Sequence, residues 1–449
     1  MRNNICIVGM LLVAGLLTAC GGSSDLMEIP VTPTEVTGPE KEDPKPEMPN
    51  NPKEDSIVMD MLPLTRTILL TKEQMEYAKK NNDFTFNLYR VIHQMQQEKK
   101  SNITSPLSVT YVLSMLNDGA AGETSNEITK MLGFGNEDKK ALNEYCQALI
   151  TQAPIADPSV TLEMADIVAA HKDVILEKAF EQDMMNFYHA ETASLDFSQS
   201  SSLDFLNGWC NEKTHGMIPQ IIDNLSPDAK LVLMNAIFFK ATWTDKFDEK
   251  DTKDELFTMS DGSSITLPMM HRKAEILCSQ NDLFTSIRLP YGSGDKYSMY
   301  VLLPAEGKTV DDIVAGLNND YWQQNRNSNI AIVDIKLPRF ETKSDIVLNE
   351  MIKELGAPSM FDPNRADFTG ISRNYKELYV SLLKQKAAIE VNEAGTKTSA
   401  VTTTLMYGMG GEPDKIMDFH ANRPFVYLIQ EWDTQAIFFI GTFQGESVK

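Results

Sequence analysis

"VNEAGTKTSAVTTTLMYGMGGEP" occupies residues 391–413. From Gly395 to Thr404 it is almost all Gly, Thr, Ser, Ala and Val, and Thr and Val favour extended chain. Every second residue from Thr396 gives Thr396, Thr398, Ala400, Thr402, Thr404 and Met406, none charged and most small. Side chains on a strand alternate faces, so this set would share one face. The other face holds Lys397, Ser399, Val401, Thr403 and Leu405, with Lys397 the only charge. No proline falls between Val391 and Glu412, so no ladder donor is missing. The stretch is fit to enter a sheet, yet it has too little apolar surface to hold a core. It then runs into Gly408, Gly410 and Gly411. It is a strand with no evident sheet to join.

The rest of the chain supplies sheets. LVLMNAIFFKATW (231–243), YSMYVLLP (297–304), IAIVDIKLP (330–338) and AIFFIGTF (436–443) are short apolar runs bounded by turn residues, the pattern of buried strands. RPFVYLIQEWDTQAIFFIGTF (423–443) reads as a strand hairpin closing the chain. The first half is helical in pattern. Thr71-Lys-Glu-Gln74 is a capping box, and Ser105-Pro106 is an N-cap with proline in the first turn. Val112, Leu113 and Leu116 then form one face, and Gly119 ends that helix. Thr124-Ser-Asn-Glu127 has the form of a second capping box, with Gly133 as its stop. Helices dominate early and strands late, with no regular βαβ alternation. The expected class is α+β with mostly antiparallel sheets.

The 449 residues are 42% hydrophobic and 23% charged, which suits a soluble protein of one large or two medium domains. A net charge of −22 leaves no basic footprint for nucleic acid or an anionic membrane surface. Residues 1–19 have an early Arg2 and an apolar run from Ile5 to Leu17, the form of an export signal. Leu17-Thr18-Ala19-Cys20 resembles a bacterial lipobox, which implies cleavage before Cys20 and its diacylation. Lipid chains anchor by burying methylenes at about 0.8 kcal/mol each. Residues 20–63 are rich in Pro, Glu, Asp and Lys and read as a disordered tether, with the folded domain spanning 64–449. The expected location is the bacterial cell envelope, at the outer membrane or cell surface.

Catalytic and metal signatures are missing. The six histidines form no HExxH, and there is no GxSxG, GxxxxGK[ST] or GxGxxG. Cys146, Cys210 and Cys278 sit in apolar contexts and read as small buried hydrophobes. No catalytic residue, metal ligand or cofactor is assigned.

The motifs spread from Leu64 to Glu446 are similar to those of the serpin family, in order and in register. They include Asn102, Ser105-Pro106-Leu107-Ser108, Gly119-Ala120 and Asn207-x-Trp209. Asn235, Phe238-Phe239-Lys240, Trp243 and Phe247 follow, then Leu337-Pro338-x-Phe340, Glu393-Ala394-Gly395-Thr396 and Asn422-Arg423-Pro424-Phe425. The resemblance implies three β-sheets, eight or nine helices and an exposed reactive-centre loop at about 393–416. It implies a protease inhibitor rather than an enzyme. A target protease attacks the loop and forms an acyl-enzyme, and the cut loop inserts into the central sheet before hydrolysis finishes.

Under this resemblance Glu393, Gly395, Thr396, Thr398 and Ala400 are the hinge. Ser105, Ser108, Asn235 and Gln385 match the polar "shutter" that governs strand separation; Gln385 stands where the family often has His. Trp243, with Lys240 nearby, matches the "breach" where insertion starts. The residue before the scissile bond lies sixteen after Glu393, which makes Met409–Gly410 the expected bond. Met406–Tyr407 and Tyr407–Gly408 are the alternatives. An apolar residue there suits elastase-, cathepsin G-, chymotrypsin- or subtilisin-like proteases, or cysteine proteases with an apolar pocket. A monomer is expected. The competing reading is a non-inhibitory binding or chaperone module on the same fold.

Overall fold

Thr71 and Gln74 cap each other's backbone N–H as the sequence predicts, and they open the longest helix. The computed structural model describes residues 64–96, 100–134, 139–292, 296–326, 329–396 and 416–445. The signal, Cys20 and the tether lie outside these residues. So does the loop from Lys397 to Lys415, with Thr398, Ala400, Met406, Tyr407, Gly408, Met409 and Gly410.

The helical part comprises α1 (Lys72–Met95), α2 (Pro106–Gly119), α3 (Gly122–Met131), α4 (Lys139–Gln152), α5 (Lys178–Tyr188) and α6 (Ser200–Lys213). The strands β1 (Asn102–Thr104), β2 (Thr161–His171) and β3 (Glu191–Leu195) interleave with them. Next come β4 (Leu231–Thr242), β5 (Lys253–Thr258), β6 (Ser264–Gln280), β7 (Phe284–Tyr291) and β8 (Tyr297–Pro304). The remainder is α7 (Val310–Gly316), α8 (Asn319–Asn325), β9 (Asn329–Pro338), β10 (Phe340–Val347), α9 (Asn349–Glu354), β11 (Lys384–Val391), β12 (Gly395–Thr396), β13 (Met417–His420), β14 (Phe425–Glu431) and β15 (Ile437–Phe443). Nine α-helices and three sheets are thus present among the described residues, an α+β fold as expected.

The largest sheet runs β1-β15-β14-β8-β7-β6-β9-β13, with β5 added on β6. The closing hairpin β14–β15 is antiparallel, as its sequence predicts. A four-stranded sheet runs β12-β4-β2-β3, and β10 with β11 forms a separate pair. Pairing is antiparallel except for β2 with β3 and β9 with β13.

β4 is buried on both faces, which explains its nearly continuous apolar run. Phe239 and Ala241 join the main core with Leu107, Tyr111 and Leu113 of α2. Met234 and Ala236, on the alternate face, pack with Leu206 and Trp209 of α6. Cys146, Cys210 and Cys278 are buried and free, and burial pushes the Cys146 thiol up to about 12.

One helix start differs from its sequence pattern. α3 begins at Gly122, capped by Ala121 without a side-chain bond, so Thr124 and Glu127 lie inside the helix. Their polar groups are taken by a neighbouring segment. Thr124 Oγ1 accepts from the Asp367 N–H at 3.0 Å, and Glu127 Oε2 accepts from the Ser359 N–H at 2.8 Å.

Candidate functional site

The sheet that the orphan strand could join is open. β4 and β11 line one cleft, and no hydrogen-bonded ladder joins them among the described residues. Residues 235–239 of β4 and 385–389 of β11 face this cleft from its two sides. Further along, a cavity of about 310 Å³ opens between Leu231–Asn235 and Leu382–Lys386, floored by Val109, Val112 and Leu116 of α2. A void with apolar walls forfeits the dispersion contacts that a strand lying in it would make.

The chain leaves β11 straight into the mouth of this cleft. Asn392 and Gly395 bridge in a tight turn, and β12 then pairs antiparallel with β4, Gly395 opposite Thr242 and Thr396 opposite Ala241. The first two residues of the strand are therefore already seated on β4. The face of β4 that carries Ala241 and Phe239 is the side of the main core.

Gly395 is required by two features. Its φ is +117°, which disfavours any side chain, and a Cβ would lie 2.5 Å from the Trp243 nitrogen and 2.6 Å from the Ala241 oxygen.

The turn is pinned from several directions. Trp243, fully buried and stacked on Tyr291 at 4.4 Å, donates from its indole Nε1 to the Asn392 carbonyl at 2.9 Å. Its backbone N–H donates to the Ala394 carbonyl at 3.0 Å. The Glu393 side chain is buried and accepts from Arg339 Nη2 at 2.6 Å, Arg339 Nε at 3.1 Å and the Thr252 hydroxyl at 2.7 Å. Burial alone would raise the Glu393 carboxyl, but the Arg339 and Thr252 hydrogen bonds outweigh it and hold it below the usual glutamate range. Lys240 is not part of this arrangement. It alternates to the other face of β4 from Ala241, and its ammonium makes no ion pair among the described residues.

Ser105, Ser108, Asn235 and Gln385 all line the cleft, yet they form two polar groups rather than one. Gln385 holds β11 to the start of α2: its Oε1 accepts from the Thr104 hydroxyl at 2.5 Å and the Ser105 N–H at 3.1 Å, and its Nε2 donates to the Ser105 carbonyl at 2.7 Å. Ser105 caps α2 through the Ser108 N–H at 3.4 Å. Asn235 faces the other way and donates to Asp166 Oδ1 on β2 at 3.0 Å. Burial pushes the Asp166 carboxyl up to about 7 against this one hydrogen bond.

Arg339, Thr252 and Asp166 were not singled out from the sequence. Asp166 left a signal, a lone carboxylate in the apolar run MADIVAA. Arg339 and Thr252 left none, since they reach Glu393 across 54 and 141 residues.

The family model for serpins (serine protease inhibitors) matches residues 79–444. Serpin-Z2A of Triticum aestivum is 32% identical over 391 residues, covering 84% of this chain and 97% of the wheat protein. Among solved structures, the thermophilic serpin tengpin in its native state is 27% identical with a TM-score of 0.75, over 85% of this chain and 96% of tengpin. Human thyroxine-binding globulin, solved in complex with its hormone, is 25% identical with a TM-score of 0.75, over 84% of this chain and all of that one. An α+β fold with an open cleft, a hinge strand at its mouth and these relatives has one reading: the chain belongs to the serpin family.

Proposed function

We propose that this serpin is a suicide-substrate inhibitor of proteases, held on the bacterial cell envelope by acyl chains on Cys20. Serpins are in general protease inhibitors rather than enzymes. The observation that carries the finer reading is the unfilled cleft between β4 and β11 with Gly395–Thr396 already paired in its mouth.

The proposed steps are these. A protease nucleophile attacks the Met409 carbonyl, the bond to Gly410 breaks, and an acyl-enzyme forms on Met409. The freed strand then zips onward from Thr396, antiparallel to β4 and carrying the protease with it. Residues 396–409 in extended form reach on the order of 45 Å. About a dozen new backbone hydrogen bonds at about 1 kcal/mol net each drive the insertion. Met406–Tyr407 and Tyr407–Gly408 are the alternative bonds, and the targets are proteases with apolar or aromatic specificity.

Incubation with an elastase-type and a subtilisin-type protease tests this. The expected result is an SDS-stable complex and a released C-terminal peptide whose mass begins at Gly410. Thr396→Arg places a charge on the face that insertion buries, so the variant is expected to fold and to be cleaved without trapping. A Thr396→Arg variant that still traps protease at the wild-type ratio would falsify the insertion step. Clean cleavage of the wild-type chain by every protease would move the reading to a binding module, as the name of thyroxine-binding globulin describes for that relative.

A further inference from the structure

A group of ligating side chains lies at the β13 edge of the nine-stranded sheet, away from the cleft residues. The parallel pairing of β13 with β9 sets Asp418 opposite Asp334 and His420 opposite Lys336. β6, on the other side of β9, sets His271 opposite Lys336. Alternation therefore collects Asp334, Asp418, His420 and His271 on one face. The intervening Val333, Ile335 and Phe419 are buried on the other.

One ligand atom each of Asp334, Asp418 and His420 lies within 4.8 Å of the others. His420 Nε2 is 3.2 Å from Asp334 Oδ2, and His271 Nε2 is 2.7 Å from Asp334 Oδ1. Two ligands on a tetrahedral ion with bonds near 2.0–2.1 Å lie about 3.3 Å apart. The His420–Asp334 separation thus already matches a pair of ligands on one ion.

We propose that Asp334, Asp418 and His420 bind a divalent transition-metal ion of the zinc class. The ion takes the place of the direct contact between His420 and Asp334. His271 stays outside the ligand set and orients Asp334 through its second oxygen, the usual role of a group behind a metal-bound carboxylate. Mixed imidazole and carboxylate donors favour zinc-like ions over calcium or magnesium. Asp334 is 16% exposed and His420 35%, so an ion can reach them. The opposing charges are Lys273, 3.9 Å from Asp334 Oδ1, and Lys336, which lies opposite His420 and is already paired with Glu255 at 2.7 Å. A net charge of −22 raises the local cation concentration.

The ion has a structural consequence. Among the described residues β13 is an edge strand that pairs with β9 alone, and it begins just beyond the segment 397–415. Asp418 and His420 on β13 and Asp334 on β9 would be cross-linked by the ion, which fastens the C-terminal anchor of the loop.

Titration of the full chain with Co2+ and Zn2+ tests the proposal. One Co2+ per chain is expected, with visible bands of nitrogen and oxygen coordination and no near-ultraviolet thiolate band. His420→Ala and Asp418→Asn should each weaken binding by about tenfold or more, while His189→Ala, at an exposed site on another element, leaves it unchanged. Zn2+ should also slow hydrogen exchange of amides 417–420. Asp418 is exposed, so its variant keeps the test valid if His420→Ala folds poorly. Absence of saturable binding below millimolar Co2+ overturns the proposal. So does a thiolate band, or wild-type affinity in both variants.

Discussion

Gly395 is the residue on which the turn between β11 and β12 depends. Its backbone lies against Trp243, Thr242 and Ala241 at distances no Cβ tolerates, with φ in a region where alanine costs about 1–2 kcal/mol before any clash. Gly395→Ala should lift β12 off β4 while the fold persists. The stoichiometry of inhibition is then expected to rise several-fold, read as the SDS-stable fraction at matched protease. An unchanged fraction would show that seating at Thr242 is dispensable. Glu393 fastens the same turn by charge. Its carboxyl is held low, so the stabilisation is complete above the ordinary glutamate pKa of 4.5 and fades as pH falls through the folded value. Arg339 is about half exposed, so Glu393→Gln should cost about 1 kcal/mol at pH 7. That deficit should shrink below pH 4.5; a deficit equal at pH 7 and pH 3.5 would assign it to packing instead. Of this site, Glu393, Gly395, Thr396 and Trp243 were legible because the chain holds them within fixed spacings of recognisable motifs. Arg339 and Thr252 were not, because a single arginine or threonine far along the sequence looks like any other surface residue until the sheet brings it across.

At the scale of elements, the apolar runs and the turn residues between them specified β4, β8, β9 and the β14–β15 hairpin, since burial on both faces leaves little freedom of pattern. The Thr124–Glu127 pattern misled because a capping box and a tertiary partner compete for the same oxygens. Here the N–H groups of Ser359 and Asp367 won. No sequence pattern revealed that β4 and β11 stay apart. Under the proposed mechanism the two strands stay apart until the loop that connects β12 to β13 in sequence is cut. Cutting the loop should therefore convert two strand edges into an interior ladder. Hydrogen exchange by mass spectrometry is expected to slow at least about tenfold over residues 233–239 of β4 and 385–390 of β11 after cleavage at Met409. Equal exchange before and after cleavage would mean the cut strand goes elsewhere.

For the molecule as a whole, a cleft lies between β4 and β11, and under the proposed mechanism the balance between open and filled forms responds to anything that bears on β4. Gln385, where the family often has histidine, removes one titrating group from the cleft wall, but Asp166 restores pH sensitivity one strand away. Its carboxyl is fully buried against Asn235, with Oδ2 unpartnered, and its pKa rises from 3.8 to about 7. The folded state therefore holds this proton more tightly than the unfolded chain does. Stability from Asp166 is greatest below pH 3.8, declines as pH rises, and is fully lost above about pH 7. The displacement caps the effect at about 4 kcal/mol, and relaxation around the charge reduces it. Asp166→Asn keeps the shape and the bond to Asn235 while removing the titration. The variant should melt several degrees above wild type at pH 8 and show a much smaller advantage at pH 5. Net charge also changes by one, so Asp204→Asn, exposed on α6, serves as the control for general repulsion in a chain of −22. If Asp204→Asn raises the pH 8 melting temperature as much as Asp166→Asn does, the sensitivity belongs to the whole charge cloud. If only Asp166→Asn does so, a single buried carboxyl sets how firmly β2 and β4 hold the open cleft across the pH range near neutrality.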